Sequence, residues 1–264
     1  ISLARLLAQL AANGIEHAAV EASSHGLEQE RLSGVAANIG VFTSFSRDHL
    51  DYHKDERHYL DAKLRLFRER LPAGATAVIC ADGAFSAEAV KAAKSRGLDV
   101  WTYGLKGERL VLRQRNDTAE GQRLSLVVDG TAHEVFLPLA GDFQTLNALA
   151  ALGIVMASGV AAVAAVGALE HLSTVDGRLQ LAGRRDDGAA VYVDYAHTPG
   201  ALEAALRALP PGQSVVNFDR GTGGTNASTT TSSSTPTITT NNNSPSTTTN
   251  NPPTSLDPPP PPPP

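Results

Sequence analysis

Between residues 38 and 104, three short apolar runs alternate with two segments of helical period, and that alternation constrains the fold more than any other feature. The runs are NIGVFTSF (38–45), TAVICAD (76–82) and LDVWTYG (98–104). Between the first two, residues 55–70 put Leu60, Leu64, Phe67 and Leu71 on one stripe, and Pro72 ends the helix. Between the last two, FSAEAVKAAKSRG (85–97) reads as a second helix. Strand–helix–strand repetition of this kind predicts a parallel sheet with helices packed on it. Upstream, SLARLLAQLAAN (2–13) has helical leucine spacing with Gly14 as a stop, and IEHAAVEAS (15–23) reads as a further buried strand.

From 108 to 137 the pattern changes. LVLRQRN, QRLSLVVDG and HEVFLPL predict a small antiparallel insert, with Asp129-Gly130 as a hairpin turn. Helices are expected at about 142–158 and 161–171, then an irregular stretch, TVDGRLQLAGRRDDG (174–188). A new strand–helix–strand unit begins at AVYVDYAHTPGALEAALRAL (190–209) and reaches QSVVNF (213–218), so a boundary is expected near 175–188. Residues 221–264 hold one charged residue, Asp257, and end in seven prolines. Too little apolar surface is available there to offset ordering entropy, so a disordered tail with a polyproline II end is expected. The expected class is α/β: a mostly parallel sheet flanked by helices, a small antiparallel β insert, the start of a second α/β domain and a disordered tail.

Net charge is −5, and there is no Lys/Arg-rich block to suggest nucleic acid as a partner. The single cysteine, Cys80, lies in an apolar run, so a buried thiol is expected and an internal disulfide is excluded; a reducing cytoplasm is compatible. The apolar run 148–172 is divided by Ser158-Gly159 and reads as two packed helices, so no membrane span is expected. The chain begins at Ile1 inside a helical pattern, which suggests that the true N-terminus lies upstream.

The chemistry concentrates after the first two strands. Glu21 ends one strand, and FTSFSRDHLDYHKDERHYLDAK (42–63) follows the next; ligands in open α/β sheets bind beyond the carboxyl ends of strands. Glu21 offers a hard oxygen ligand and His49 an imidazole nitrogen. Lys63 sits beside the apolar stripe of its helix, where a cation is costly unless paired. It can pair with Asp48, Asp51 or Glu21, or its amine can take up CO2 to form a carbamate, an anion suited to Mg2+; from chemistry alone the ion pair is the commoner outcome. His53 and His58 lie on a polar helix start, where each reads as solvated. His49-x-x-x-His53 lacks the Glu of H-E-x-x-H, so zinc is not expected from that spacing.

EASSHGLEQERL (21–32), the stretch 42–63, GDFQTLNALAA (141–151) and VDYAHTP (193–199) occur in the order and rough spacing found in the Mur ligases. SRDHLDYH followed by HY..AK narrows the resemblance to the MurE, or UDP-N-acetylmuramoyl-tripeptide synthetase, type, over residues 1–218. The resemblance implies an ATP- and Mg2+-dependent carbon–nitrogen ligase of cytoplasmic peptidoglycan synthesis, working as a monomer. Such an enzyme joins meso-diaminopimelate or lysine to UDP-N-acetylmuramoyl-L-alanyl-D-glutamate through an acyl phosphate. It implies Glu21, His49 and Lys63 (as carbamate) as metal ligands, with Lys63 and His49 catalytic. It further implies Ser23, Gln29 and Arg31 as contacts to the UDP-muramoyl dipeptide, and Asn147, Arg178, Asp194 and His197 as ATP contacts. Read from the residues alone, Ser23, Gln29 and Arg31 are a cap and surface helix, and Thr198-Pro199 a helix start.

The implied domains are the ATP-binding central domain at 1–178, the start of the C-terminal domain at 179–218 and the tail at 219–264. No G-x-x-x-x-G-K-[ST] occurs, and RGTGGTN (220–226) lacks its lysine; the family's phosphate loop is expected upstream of Ile1 and its amino-acid-selecting region downstream of 218. This chain alone is therefore expected to be inactive. A folylpolyglutamate synthetase-like ligase and a non-catalytic degenerate fragment are the competing expectations.

Overall fold

The computed structural model describes residues 3–45, 52–118, 120–186, 190–196, 199–209 and 214–217, the backbone alone at 199–200 and 214–217. The expected tail at 219–264 lies outside these residues.

Helix α1 (Leu3–Ala12) and the short α2 (Ser24–Glu28) precede strand β1 (Ile39–Phe42). Then come α3 (Glu56–Arg65), a π-helical turn (Leu66–Arg70), β2 (Thr76–Cys80), α4 (Ser86–Ser95) and β3 (Asp99–Gly104). Strands β4 (Leu110–Asp117), β5 (Gln122–Val128) and β6 (Thr131–Leu137) lead to α5 (Asp142–Ala157) and α6 (Ala162–Gly167). The last elements are β7 (Gln180–Arg184), β8 (Ala190–Asp194), α7 (Pro199–Arg207) and β9 (Ser214–Asn217).

One six-stranded sheet runs in the order β1-β2-β3-β4-β5-β6. It is parallel from β1 to β4 and antiparallel from β4 to β6. The expected antiparallel insert is β4–β6, and it extends the main sheet through the short joint Tyr103–Leu110 and Gly104–Val111. The Asp129-Gly130 turn has positive φ at both residues, 48° and 80°, as a type I′ hairpin requires.

Burial explains the difference in patterning. Strand β2 is covered on both faces, so it reads as an unbroken apolar run. Ala77 and Ile79 face a core of Leu60, Leu64, Phe67 and Leu71 from α3 and its π turn and Ala89 and Ala93 from α4. Val78 and Cys80 face the opposite core, with Leu149, Leu152 and Met156 of α5. Cys80 is buried and free.

Helix α5 lies close to the sheet because Gly153 lacks a side chain: a Cβ there would stand 2.7 Å from Val78 Cγ1. Gly153→Leu should therefore lift the helix and cost about 1–3 kcal/mol, read as a lower urea midpoint with the slope unchanged. An unchanged midpoint would show that the contact is not tight.

Two strand expectations fail. Residues 15–23 form no strand, and Ile15 and Val20 are 48% and 44% exposed. A strand exists only through its partners' hydrogen bonds, and among the described residues β1 bonds to β2 alone. Conversely, β7 arises inside the stretch expected to be irregular, antiparallel to β8 with a register shift between Leu181 and Gly183. Its residues are mostly exposed, so it carries no alternation to detect. Strands β8 and β9 pair in parallel, as the strand–helix–strand pattern requires. No helix among the described residues is long and apolar enough to cross a membrane.

Candidate functional site

The segment that folds into α2 is EASSHGLEQER. Ser23 caps the helix, its Oγ accepting from the Gly26 backbone N–H at 3.1 Å, so the capping reading of Ser23 holds. The chain leaves α2 through Gln29 and turns at Glu30, whose φ is 59°. Beyond the turn, Arg31 Nη2 donates to Gln29 Oε1 at 2.6 Å, and Gln29 Nε2 donates to the Tyr52 hydroxyl at 3.1 Å. The His25 ring lies 3.9 Å from that of Tyr52. Ser23, Gln29 and Arg31 are all exposed, so this is a polar strip open to a ligand.

Helix α3 begins beneath this strip. Asp55 caps it, accepting from the His58 N–H at 2.7 Å. Lys63 is half-buried, with its Nζ 5.0 Å from the Tyr59 ring centroid, which gives part of the cation's compensation. Glu21 is exposed just before α2. His49, with Asp48 and Asp51, lies outside the described residues.

His53 corrects the sequence reading. It is 1% exposed, not solvated, because α2 packs over the start of α3 and covers it. Its Nε2 is 2.9 Å from Ser24 Oγ, its Nδ1 3.3 Å from His58 Nδ1 and 3.5 Å from Glu28 Oε2. His58 Nε2 in turn lies 3.3 Å from Glu28 Oε1, and its side chain remains 47% exposed. A pattern reading misses this cluster because Glu28 is far from both histidines in sequence.

Behind the strip, Glu30 gathers Ser33, Arg65 and Arg70, while Arg65 Nη1 also donates to the Glu28 carbonyl at 3.1 Å. The Ser33 hydroxyl and the two guanidiniums hold the Glu30 carboxyl down from 4.5 to about 2, and pairing with Glu69, and less with Glu30, pushes Arg65 up. A depressed carboxyl pKa stabilises the fold above the unfolded value and loses that contribution as pH falls through the folded one. The stability gap between wild type and Glu30→Gln should therefore be full at pH 7 and close between about 4.5 and 2. The network is exposed, so added salt should narrow the gap. A gap that does not change with pH would rule out this role for the charge.

The second group of sequence-derived residues lies around the start of α5 and the segment from Arg178 to Asp194. Thr145 of GDFQTLN and Gln122 at the start of β5 are buried: Gln122 Nε2 donates to the Leu139 and Gly141 carbonyls, and its Oε1 accepts from Thr145 Oγ1 at 2.6 Å. Gln144 Nε2 donates to the Arg178 carbonyl at 3.2 Å. These bonds fix the start of α5 and leave Asn147 exposed. Asp194 is buried and already bound, accepting from the Leu179 and Ala196 N–H groups at 2.8 Å each. It thereby shapes the loop that carries the exposed Arg178 guanidinium, 5.8 Å from the Tyr195 ring centroid. His197 lies outside the described residues.

The chain is similar to proteins of one family. Residues 1–155 match the family model of the Mur ligase middle domain. A Rhizobium meliloti protein named UDP-N-acetylmuramoyl-L-alanyl-D-glutamate–2,6-diaminopimelate ligase is 48% identical over 84% of this chain and 46% of its own length. A Brucella melitensis protein of the same name gives the same figures. A solved structure of a ligase of that name superposes with TM-score 0.67 at 36% identity, over 78% of this chain and 42% of its own. The chain thus spans about half the length of the curated relatives it matches.

Proposed function

Because the chain belongs to the Mur ligase family, we propose that it supplies the catalytic middle of a MurE-type ligase. Such a ligase joins diaminopimelate or lysine to UDP-N-acetylmuramoyl-L-alanyl-D-glutamate with ATP, in the cytoplasm. The observation that carries this is the 48% identity, over 84% of this chain, to a ligase named for the diaminopimelate reaction. On this reading residues 1–178 are the ATP-binding domain and 179–218 the start of the next.

The donor set fits Mg2+ under one condition. Glu21 presents an exposed carboxylate, and Lys63 is half-buried, but an ammonium cannot ligate a cation. Lys63 fits as a carbamate, whose two oxygens, with the Glu21 carboxylate, give the hard donors magnesium takes, while His49 would add one imidazole nitrogen. Bound there, Mg2+ would neutralise charge on the phosphoryl group being transferred. The chain's own residues do the positioning. Gln29 and Arg31, already bonded to one another, offer N–H donors to the carboxylates of the muramoyl dipeptide. Asn147 and Arg178 are the exposed donors for nucleotide, and Asp194 holds the loop of Arg178.

A chimera tests the proposal: residues 1–218 replace the matching region of the Rhizobium meliloti ligase. ADP release that needs both UDP-N-acetylmuramoyl-L-alanyl-D-glutamate and diaminopimelate is the expected result. A cooperatively folded chimera that releases ADP only with a folate substrate, or not at all, contradicts it.

A further inference from the structure

The proposed ligation leaves Glu28, His53 and His58 without a role, although they converge where α2 ends and α3 begins. One donor atom from each lies within 4.8 Å of the others. Two donors bound tetrahedrally to zinc, each about 2.0–2.1 Å from the ion, stand roughly 3.3–3.4 Å apart. The His53 Nδ1–His58 Nδ1 separation is 3.3 Å and the His53 Nδ1–Glu28 Oε2 separation 3.5 Å.

Hydrogen bonding alone satisfies the cluster poorly. Two ring nitrogens that face each other can share only one proton. Among the described residues Glu28 Oε2 is buried with no hydrogen-bond partner, only the longer 3.5 Å contact to His53 Nδ1, which is costly for a carboxylate oxygen. A cation between the three donors would answer both. The outer shell is also in place: Ser24 Oγ, 2.9 Å from His53 Nε2, can fix the ring with Nδ1 turned toward Glu28 and His58. The His58 side chain is 47% exposed, so water can reach the cluster as a fourth ligand.

We propose that Glu28, His53 and His58 bind one divalent transition-metal ion, zinc foremost, with Ser24 orienting His53 and the fourth position open to solvent. Two imidazoles and one carboxylate favour zinc, cobalt or nickel over magnesium, which prefers an all-oxygen shell. The ion would pin the end of α2 to the start of α3, one residue before Gln29 leaves for Tyr52, and so stiffen the strip that faces the muramoyl dipeptide. The site is distinct from the Glu21, His49 and Lys63 set and stands whether or not the ligase reading does.

The test is calorimetric titration of the full chain with ZnCl2 in excess MgCl2, paired with the visible spectrum of the cobalt form. One zinc per chain, a higher melting temperature with zinc and the intense bands of four- or five-coordinate cobalt are expected. His58→Gln, at a half-exposed position that should not disturb folding, should abolish binding. Ser24→Ala should weaken it at least about tenfold, and His49→Gln should leave it intact. No zinc uptake in excess magnesium would overturn the proposal. So would unchanged binding in His58→Gln, loss in His49→Gln, or the weak spectrum of octahedral cobalt.

Discussion

Lys63→Ala in the chimera should cut diaminopimelate-dependent ADP release by on the order of 10²–10³-fold, with KM for the UDP-muramoyl dipeptide little changed. That magnitude is typical of removing one preorganised group that stabilises charge only in the transition state. Lys63→Arg separates the two chemistries open to this side chain. Arginine keeps the positive charge and the position over Tyr59, but it cannot carry a carbamate. If Lys63 acts as an ion-pair cation, the arginine variant retains much of its activity; if it acts as a carbamate, both variants are silent. Millimolar acetate or formate should then restore part of the alanine variant's rate, because the vacated space accepts a small carboxylate.

Phe67→Ala should have the largest effect on stability. Phe67 is 0% exposed, and so are Leu60, Leu64 and Leu71 along the same stripe. Truncating a buried phenylalanine costs about 3–5 kcal/mol, the transfer term plus the cavity left behind. That is a large share of the roughly 5–15 kcal/mol of a whole domain. The π turn lets the stripe continue to Leu71 while the helix widens and underwinds at its end. The same stripe anchors the helix that carries His58 and Lys63, so the variant should also lose zinc uptake. A urea midpoint corresponding to a loss under about 1 kcal/mol would show that α3 is held by something other than this packing.

The parts of the fold legible in the sequence are those set by local pattern. The 60-64-67-71 stripe, the apolar run of β2 and the Asp129-Gly130 turn each follow from neighbours in the chain. What escaped depends on partners distant in sequence. Residues 15–23 have the composition of a strand but join no ladder among the described residues. Strand β7 has a ladder but little strand composition. At the site, the motif words located the polar strip, yet they could not show that Gln29 binds Arg31 and Tyr52. His53 was misread for a similar reason: its burial is imposed by α2, and a polar sequence context says nothing about a roof brought from elsewhere. The resemblance marks Asp194 as an ATP contact, and what no motif shows is that its two carboxylate oxygens also hold the loop around it.

Carbon-13 NMR of the full chain equilibrated with labelled bicarbonate reaches the core of the ligase assignment without any chimera. The expected spectrum holds one carbamate resonance that disappears in Lys63→Ala and broadens when Mn2+ is added, and that broadens far less in Glu21→Ala. A chain with no Lys63-dependent carbamate, or with a carbamate that Mn2+ leaves sharp, would contradict Lys63 as the carbon dioxide-modified metal ligand of this site.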